Sequence, residues 1–138
     1  MKRYEQIPHT ADLAAKIYGK DINGLFENAA YAAFDIIGNI EGLVYDKTLE
    51  VCLESPDTES LLVKWLNELF YRSYTEDVLF GEFKILSIEN NKLTAKAKGQ
   101  VLNGKYERIE QEIKAATYHD LKIKETDEGY EVTVVFDV

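Results

Sequence analysis

The residues best equipped for chemistry fall in three separated stretches: Ile7-Pro8-His9-Thr10-Ala11-Asp12, Glu112-Ile113-Lys114-Ala115-Ala116-Thr117-Tyr118-His119, and Val135-Phe136-Asp137-Val138. His9 and His119 are the 2 histidines of the chain, and imidazole is the side chain that changes charge near neutral pH. Asp12 and Asp137 offer carboxylates, and Val138, the next residue, adds a terminal carboxylate beside the second. If these stretches converge, the result is one acidic site. Two carboxylates ~4 Å apart repel by about 4 kcal/mol at an effective dielectric of about 20, so such a pair must recruit a cation, a lysine or a proton. A hard oxygen-binding ion, calcium or magnesium, suits carboxylates and carbonyls better than a transition metal does. Lys114, on the polar face of its stretch, is the candidate permanent counter-charge. Spacing by itself leaves the plainer alternative open: charged residues at strand ends are ordinarily solvated, and a histidine in a turn ordinarily bonds to water.

The elements that must position these residues can be read from periodicity. Pro8 fixes its own φ and biases Ile7 towards extended geometry, so the chain breaks there between two strands, Lys2 to Gln6 and Asp12 to Tyr18. Asp21 is placed to cap a helix whose apolar positions Leu25, Phe26, Ala29, Ala30, Ala33, Phe34 and Ile37 form one stripe, ended by Gly38-Asn39. Leu49, Val51 and Leu53 alternate on one face of a strand, with Cys52 expected as a small core residue. Ser55-Pro56-Asp57-Thr58-Glu59 starts a second helix, with Ser55 as the cap and acids near the positive end of the dipole. That helix runs about five turns through Leu61, Leu62, Trp65, Leu66, Leu69 and Phe70. Trp65, Phe70, Tyr71 and Tyr74 read as core packing rather than a cofactor box.

The remaining half reads as strands. Phe83 to Ile88 and Lys92 to Val101 flank an Asn90-Asn91 turn, Arg108 to Ala115 alternates, and Leu121 to Lys124 pairs with Tyr130 to Phe136 around Asp127-Glu128-Gly129. In the last strand Tyr130, Val132, Val134 and Phe136 share one face, leaving Glu131, Thr133, Val135 and Asp137 on the other. The predicted fold class is α+β: mostly antiparallel sheets with two amphipathic helices packed on one face, in a single domain over 1–138.

Composition narrows the function. Lys and Arg number 16 against 25 Asp and Glu, a formal charge of −9, which argues against tight direct nucleic-acid binding, since that draws on clustered basic residues. A chain of this length buries roughly two-thirds of its unfolded surface and needs no disulfide or structural metal; with 1 cysteine it has no internal disulfide or multi-cysteine zinc site. No apolar run approaches the ~20 residues of a membrane span and no signal-peptide pattern opens the chain, so a cytoplasmic protein without membrane association is expected. P-loop, dinucleotide, zinc and nucleophile-elbow motifs do not occur.

His9-Thr10-Ala11-Asp12, Leu61-Leu62-Val63-Lys64-Trp65-Leu66-Asn67-Glu68-Leu69, Glu112 to His119 and Asp137-Val138, taken in order across nearly the whole chain, resemble the archease family. The resemblance implies a small acidic, non-enzymatic cofactor of the RtcB-type tRNA-splicing RNA ligase, which promotes guanylylation of the ligase's active-site histidine and multiple turnover. It also implies a calcium-type metal site on Asp12 and Asp137, with Val138 supplying a terminal or main-chain oxygen, and places the family's functional lysine on Lys114. His9 and His119 fall within the motifs and join Asp12, Lys114 and Asp137 as candidate contacts for ligase activation. Pro8 departs from an acidic residue frequent at that position, and Ala116 from a common valine. Two other functions were weighed. A small metal-dependent hydrolase would use Asp12, Asp137 and His119, but two or three carboxylates without a nucleophile make a thin catalytic set. A chaperone or adaptor for RNA-modifying enzymes is the third reading.

Overall fold

The alternating and helical patterns resolve into two antiparallel sheets with helices between them. The computed structural model describes residues 2–10 and 12–138, so Ala11 of the first motif lies outside the described residues. Among them the chain forms β1 (Tyr4–Ile7), β2 (Leu13–Gly19), α1 (Ile22–Ile37), β3 (Lys47–Glu54), α2 (Thr58–Glu76), β4 (Val78–Glu89), β5 (Lys92–Val101), β6 (Ala115–Ala116), β7 (Lys124–Thr126) and β8 (Gly129–Asp137). One sheet runs β1-β2-β8-β6, with β7 also on β8; the other runs β3-β5-β4. This is the expected α+β class.

The helices form where expected because apolar side chains recur at helical spacing. Asp21 accepts from Gly24 N–H at 2.7 Å, and α1 buries Leu25, Phe26, Ala29, Ala30, Ala32, Ala33, Phe34 and Ile37. It touches β2 of one sheet and β4 of the other, which is why nearly two sides of it are apolar. α2 buries Leu61, Leu62, Val63, Trp65, Leu66, Leu69 and Phe70. The Trp65 indole is fully buried and donates to Phe26 C=O at 3.0 Å, tying α2 to α1. Tyr71 and Tyr74 instead face solvent, because they lie on the flank of α2 turned from this stripe. The expectation of core packing holds for two of those four aromatics. No helix among the described residues is long and apolar enough to cross a membrane.

Three further expectations are corrected. The cap of α2 is Asp57, not Ser55: its carboxylate reaches Ser60 N–H at 2.8 Å, whereas Ser55 lies two residues further out and bonds to the Ser60 hydroxyl. The Ser60 N–H and hydroxyl hold the Asp57 carboxyl below the usual carboxylate range. Cys52 is exposed: Leu49 and Val51 point inward, so strict alternation sends Cys52 to the outer face. Arg108 to Ala115 is not a strand. Its ladder contacts reduce to one bridge between Ile109 and Gly38 and the short β6. Glu110 and Gln111 both donate backbone N–H to Ile37 C=O, and the Arg108 guanidinium donates to the carbonyls of Asn39 and Glu41. Ile113 is buried in the core without a strand partner on either side, which satisfies its apolar pattern by another route.

Turn chemistry was legible. Asn90 and Asn91 both take positive φ, 53° and 58°, the conformation a tight two-residue hairpin between twisted strands requires. Gly129 opens β8 at φ 136°, and a Cβ there would stand 2.3 Å from Gly19 C=O, so this turn accepts glycine.

Candidate functional site at the end of the five-stranded sheet

The end of β8 is where the three chemical stretches meet. β2 runs antiparallel to β8 with Leu13 opposite Phe136; one step further along the same register stand Asp12 and Asp137, just beyond the last rung. On the other edge of β8, Ala115 of β6 lies opposite Asp137 and Ala116 opposite Phe136. The Lys114 N–H donates to Asp137 C=O at 2.8 Å, and Thr117 donates its N–H at 3.0 Å and its hydroxyl at 2.9 Å to Val135 C=O. β8 is therefore the axis, holding the N-terminal turn on one side and the 114–119 stretch on the other.

The two histidines come together although 110 positions part them in sequence (119 − 9). Their rings meet edge to face at 82° with centroids 5.6 Å apart. His9 Nδ1 lies 3.8 Å from Asp12 Oδ2, and His119 Nε2 lies 3.3 Å from Asp120 Oδ2. The His119 N–H donates to the Thr117 hydroxyl at 3.3 Å. Asp120, at positive φ, is a member of this cluster that sequence reasoning missed, since an exposed turn carboxylate carries no periodic signal. Lys114 is exposed, and the close histidine–carboxylate contacts at this end run from His9 to Asp12 and from His119 to Asp120. Among the described residues no ion pair joins Lys114 to these carboxylates, so its expected role as their counter-charge is not expressed as a direct contact.

Beneath these polar groups the sheet is closed on both faces. Phe136 is fully buried in the main core, while Ala14 and Val135, opposite one another on the reverse face, are also buried yet lie outside that core. Val135 thus does share the outer side with Asp137, as alternation requires, without being solvated. Further along that face the Tyr18 hydroxyl, with help from Lys2, holds the Glu5 carboxyl below its ordinary range, and Glu131 raises Lys16 across a 3.0 Å ion pair.

The donor set can be tested against a hard cation. Among the described residues no group of three or more His, Cys, Asp or Glu side chains stands ready to hold an ion. What the site offers is two carboxylates on neighbouring strands, with an oxygen of Val138 beyond Asp137. An all-protein cage would need more ligands, but a hard divalent ion that keeps several of its waters is bound through one or two carboxylates. Two carboxylates are what the register brings to this point.

A cleft of about 440 Å³ lies elsewhere, lined by Lys2, Tyr18, Thr126, Asp127, Glu128, Tyr130 and Glu131. Gly129, the residue between Glu128 and Tyr130, opens β8, so this cleft marks the opposite end of the strand from Asp137.

Comparison with known proteins agrees with the fold. The Archease protein family (MTH1598/TM1083) matches residues 4–138. The chain belongs to the archease family. It is 42% identical over 141 residues to an archease of Methanosarcina barkeri, covering 99% of this chain and 97% of that protein, and 36% identical over 138 residues to an archease of Archaeoglobus fulgidus, covering 99% of each. The archease fold seen here superposes on the solution structure of protein 1598 of Methanobacterium thermoautotrophicum with a TM-score of 0.86 at 33% identity, covering 100% of both chains. The crystal structure of a Thermotoga maritima archease, described there as a possible chaperone, matches with a TM-score of 0.69 at 26% identity over 97% of this chain and 96% of that one.

Proposed function

We propose that this archease is a non-enzymatic cofactor of an RtcB-type tRNA-splicing RNA ligase, promoting guanylylation of the ligase's active-site histidine and its multiple turnover. The observation that carries the reading is the gathering of His9, Asp12, Lys114, His119 and Asp137 at one exposed end of the five-stranded sheet, in a chain of this family. Asp12, Asp137 and an oxygen of Val138 would hold a hard divalent cation, calcium or magnesium, which when bound supplies positive charge for anionic groups of the partner. Around it, the two aspartates orient the turn and the end of β8, and the exposed Lys114 meets phosphate or carboxylate oxygens across the interface. An acidic tip of this kind docks beside a basic nucleotide-binding cleft, and the overall charge of −9 speeds that encounter rather than an encounter with RNA.

A hydrolase reading is less well supported, because enzymes acting on small substrates place their catalytic groups in a cleft and the 440 Å³ cleft is lined by other residues. The deciding experiment measures guanylylation and turnover of a cognate ligase with and without the protein, alongside hydrolysis of generic phosphate esters and suppression of aggregation of a denatured client. Stimulation of the ligase alone is the expected result. Ester hydrolysis or client protection with no effect on the ligase would overturn the reading.

A further inference from the structure

The side chain of Asn67 does for β6 what a neighbouring strand would do. β6 is two residues long and pairs with β8 along one edge. At Ala116 the Asn67 carboxamide, projecting from α2, accepts from the backbone N–H at 2.7 Å and donates to the backbone C=O at 3.2 Å. Ala116 is buried, at 5% exposure, so without this partner both groups would be left unmatched away from water. An amide carries donor and acceptor on adjacent atoms; an aspartate has no donor when ionised and a leucine has neither. The chain on either side of β6, residues 102–114 and 117–123, forms no strand of its own. Immediately beside β6 the backbone ties run to β8, from Lys114 to Asp137 and from Thr117 to Val135; further out, Glu110 and Gln111 bond to Ile37, and the Ile123 N–H bonds to the Glu59 carboxylate of α2 at 3.2 Å.

We propose that Asn67 is a positioning residue of the candidate site: its carboxamide anchors β6 to α2 and so sets where Lys114 and His119 stand relative to Asp137. The consequence for ligase stimulation rests on the function proposed above; the anchoring itself does not.

The test is residue-resolved amide hydrogen exchange on the full chain for wild type, Asn67→Ala and Asn67→Asp, with ligase guanylylation measured on the same samples. In Asn67→Ala the amides of residues 114–117 should exchange about tenfold faster or more, while the buried amides of α1 keep wild-type protection. Asn67→Asp serves if the alanine variant does not fold. Its ionised carboxylate keeps the acceptor and loses the donor; once protonated, the carboxyl donates to Ala116 C=O again. Protection at 114–117, referenced to wild type at each pH, should therefore recover on acidification, a response that mere space-filling does not produce. Guanylylation should fall about tenfold in Asn67→Ala, with Lys114→Ala added on top costing little more. Unchanged protection at 114–117 in the folded alanine variant, loss spread equally through α1, or no recovery in the aspartate variant would each overturn the proposal. A wild-type protein that fails to stimulate the ligase while the exchange pattern holds would overturn the functional reading and support the anchor.

Discussion

Asp12 and Asp137 are placed as a pair by one register step, and Lys114 by a backbone hydrogen bond to Asp137 beside the Asn67-anchored β6. Residues positioned that way act as a unit, so their removal should be non-additive. Asp12→Ala or Asp137→Ala takes away a carboxylate, and Lys114→Ala takes away an exposed positive charge. Each variant should fold, by circular dichroism, because the three side chains lie outside the apolar core, and each should lose most ligase stimulation. The Asp12→Ala, Asp137→Ala double variant should be little worse than either single one. Stimulation at wild-type level by the folded single variants would move the contact surface elsewhere on the molecule.

At the scale of elements, the two helices are joined by one buried hydrogen bond as well as by apolar contact. Trp65→Phe takes the indole donor from Phe26 C=O, which keeps its helical partner, and removes part of a fully buried ring. A loss of about 2–4 kcal/mol in unfolding free energy is expected from denaturant melts, followed by far-UV circular dichroism because the substitution removes the 1 tryptophan. The start of α2 predicts a pH effect. The folded Asp57 carboxyl is held below the ordinary aspartate range by the Ser60 N–H first and the Ser60 hydroxyl second. A depressed carboxyl stabilises above its unfolded pKa, and that contribution fades as pH falls through the lower folded value. Asp57→Ala should therefore lower the Tm by a few degrees at neutral pH, and the gap to wild type should close on acidification below about pH 4. A gap that stays constant down to pH 2 would assign the cap's effect to something other than its charge.

The whole molecule is acidic, −9 by formal count, and its lysines are interleaved with acids. On the outer face of the three-stranded sheet Lys92, Lys96 and Lys98 stand within 4 Å of Glu54, Glu50 and Glu82. A surface so neutralised gives a polyanion little to hold, so free protein should not retard tRNA in a gel at moderate salt; tight, salt-sensitive binding would contradict this. Folding should be equally independent of the candidate ion. The core runs through α1, α2 and both sheets, so chelator should shift the melting midpoint by a few degrees at most, and global unfolding on chelation would give the ion a structural role.

Much of this organisation was legible in one dimension because its causes are local. Helical stripes, strand alternation, the Asp21 cap and the Asn90-Asn91 turn each depend on residues a few positions apart, and the motif order was enough to resemble the family. Local pattern misplaced what depends on distant partners. Arg108 to Ala115 alternates like a strand, but a strand exists only where another edge offers matching hydrogen bonds, and Ile37 C=O takes two of its N–H groups instead. Cys52 is apolar enough for a core, yet the facing of Leu49 and Val51 turns it outward. The sequence by itself determined which residues could do chemistry and where the two helices and the last strand would run. The pairing of β8 with β2 on one side and β6 on the other, and the reach of Asn67 from α2 to Ala116, were decided only by tertiary structure. Register and side-chain reach between remote segments are set by the packing of the whole core, and no short window of sequence contains that information.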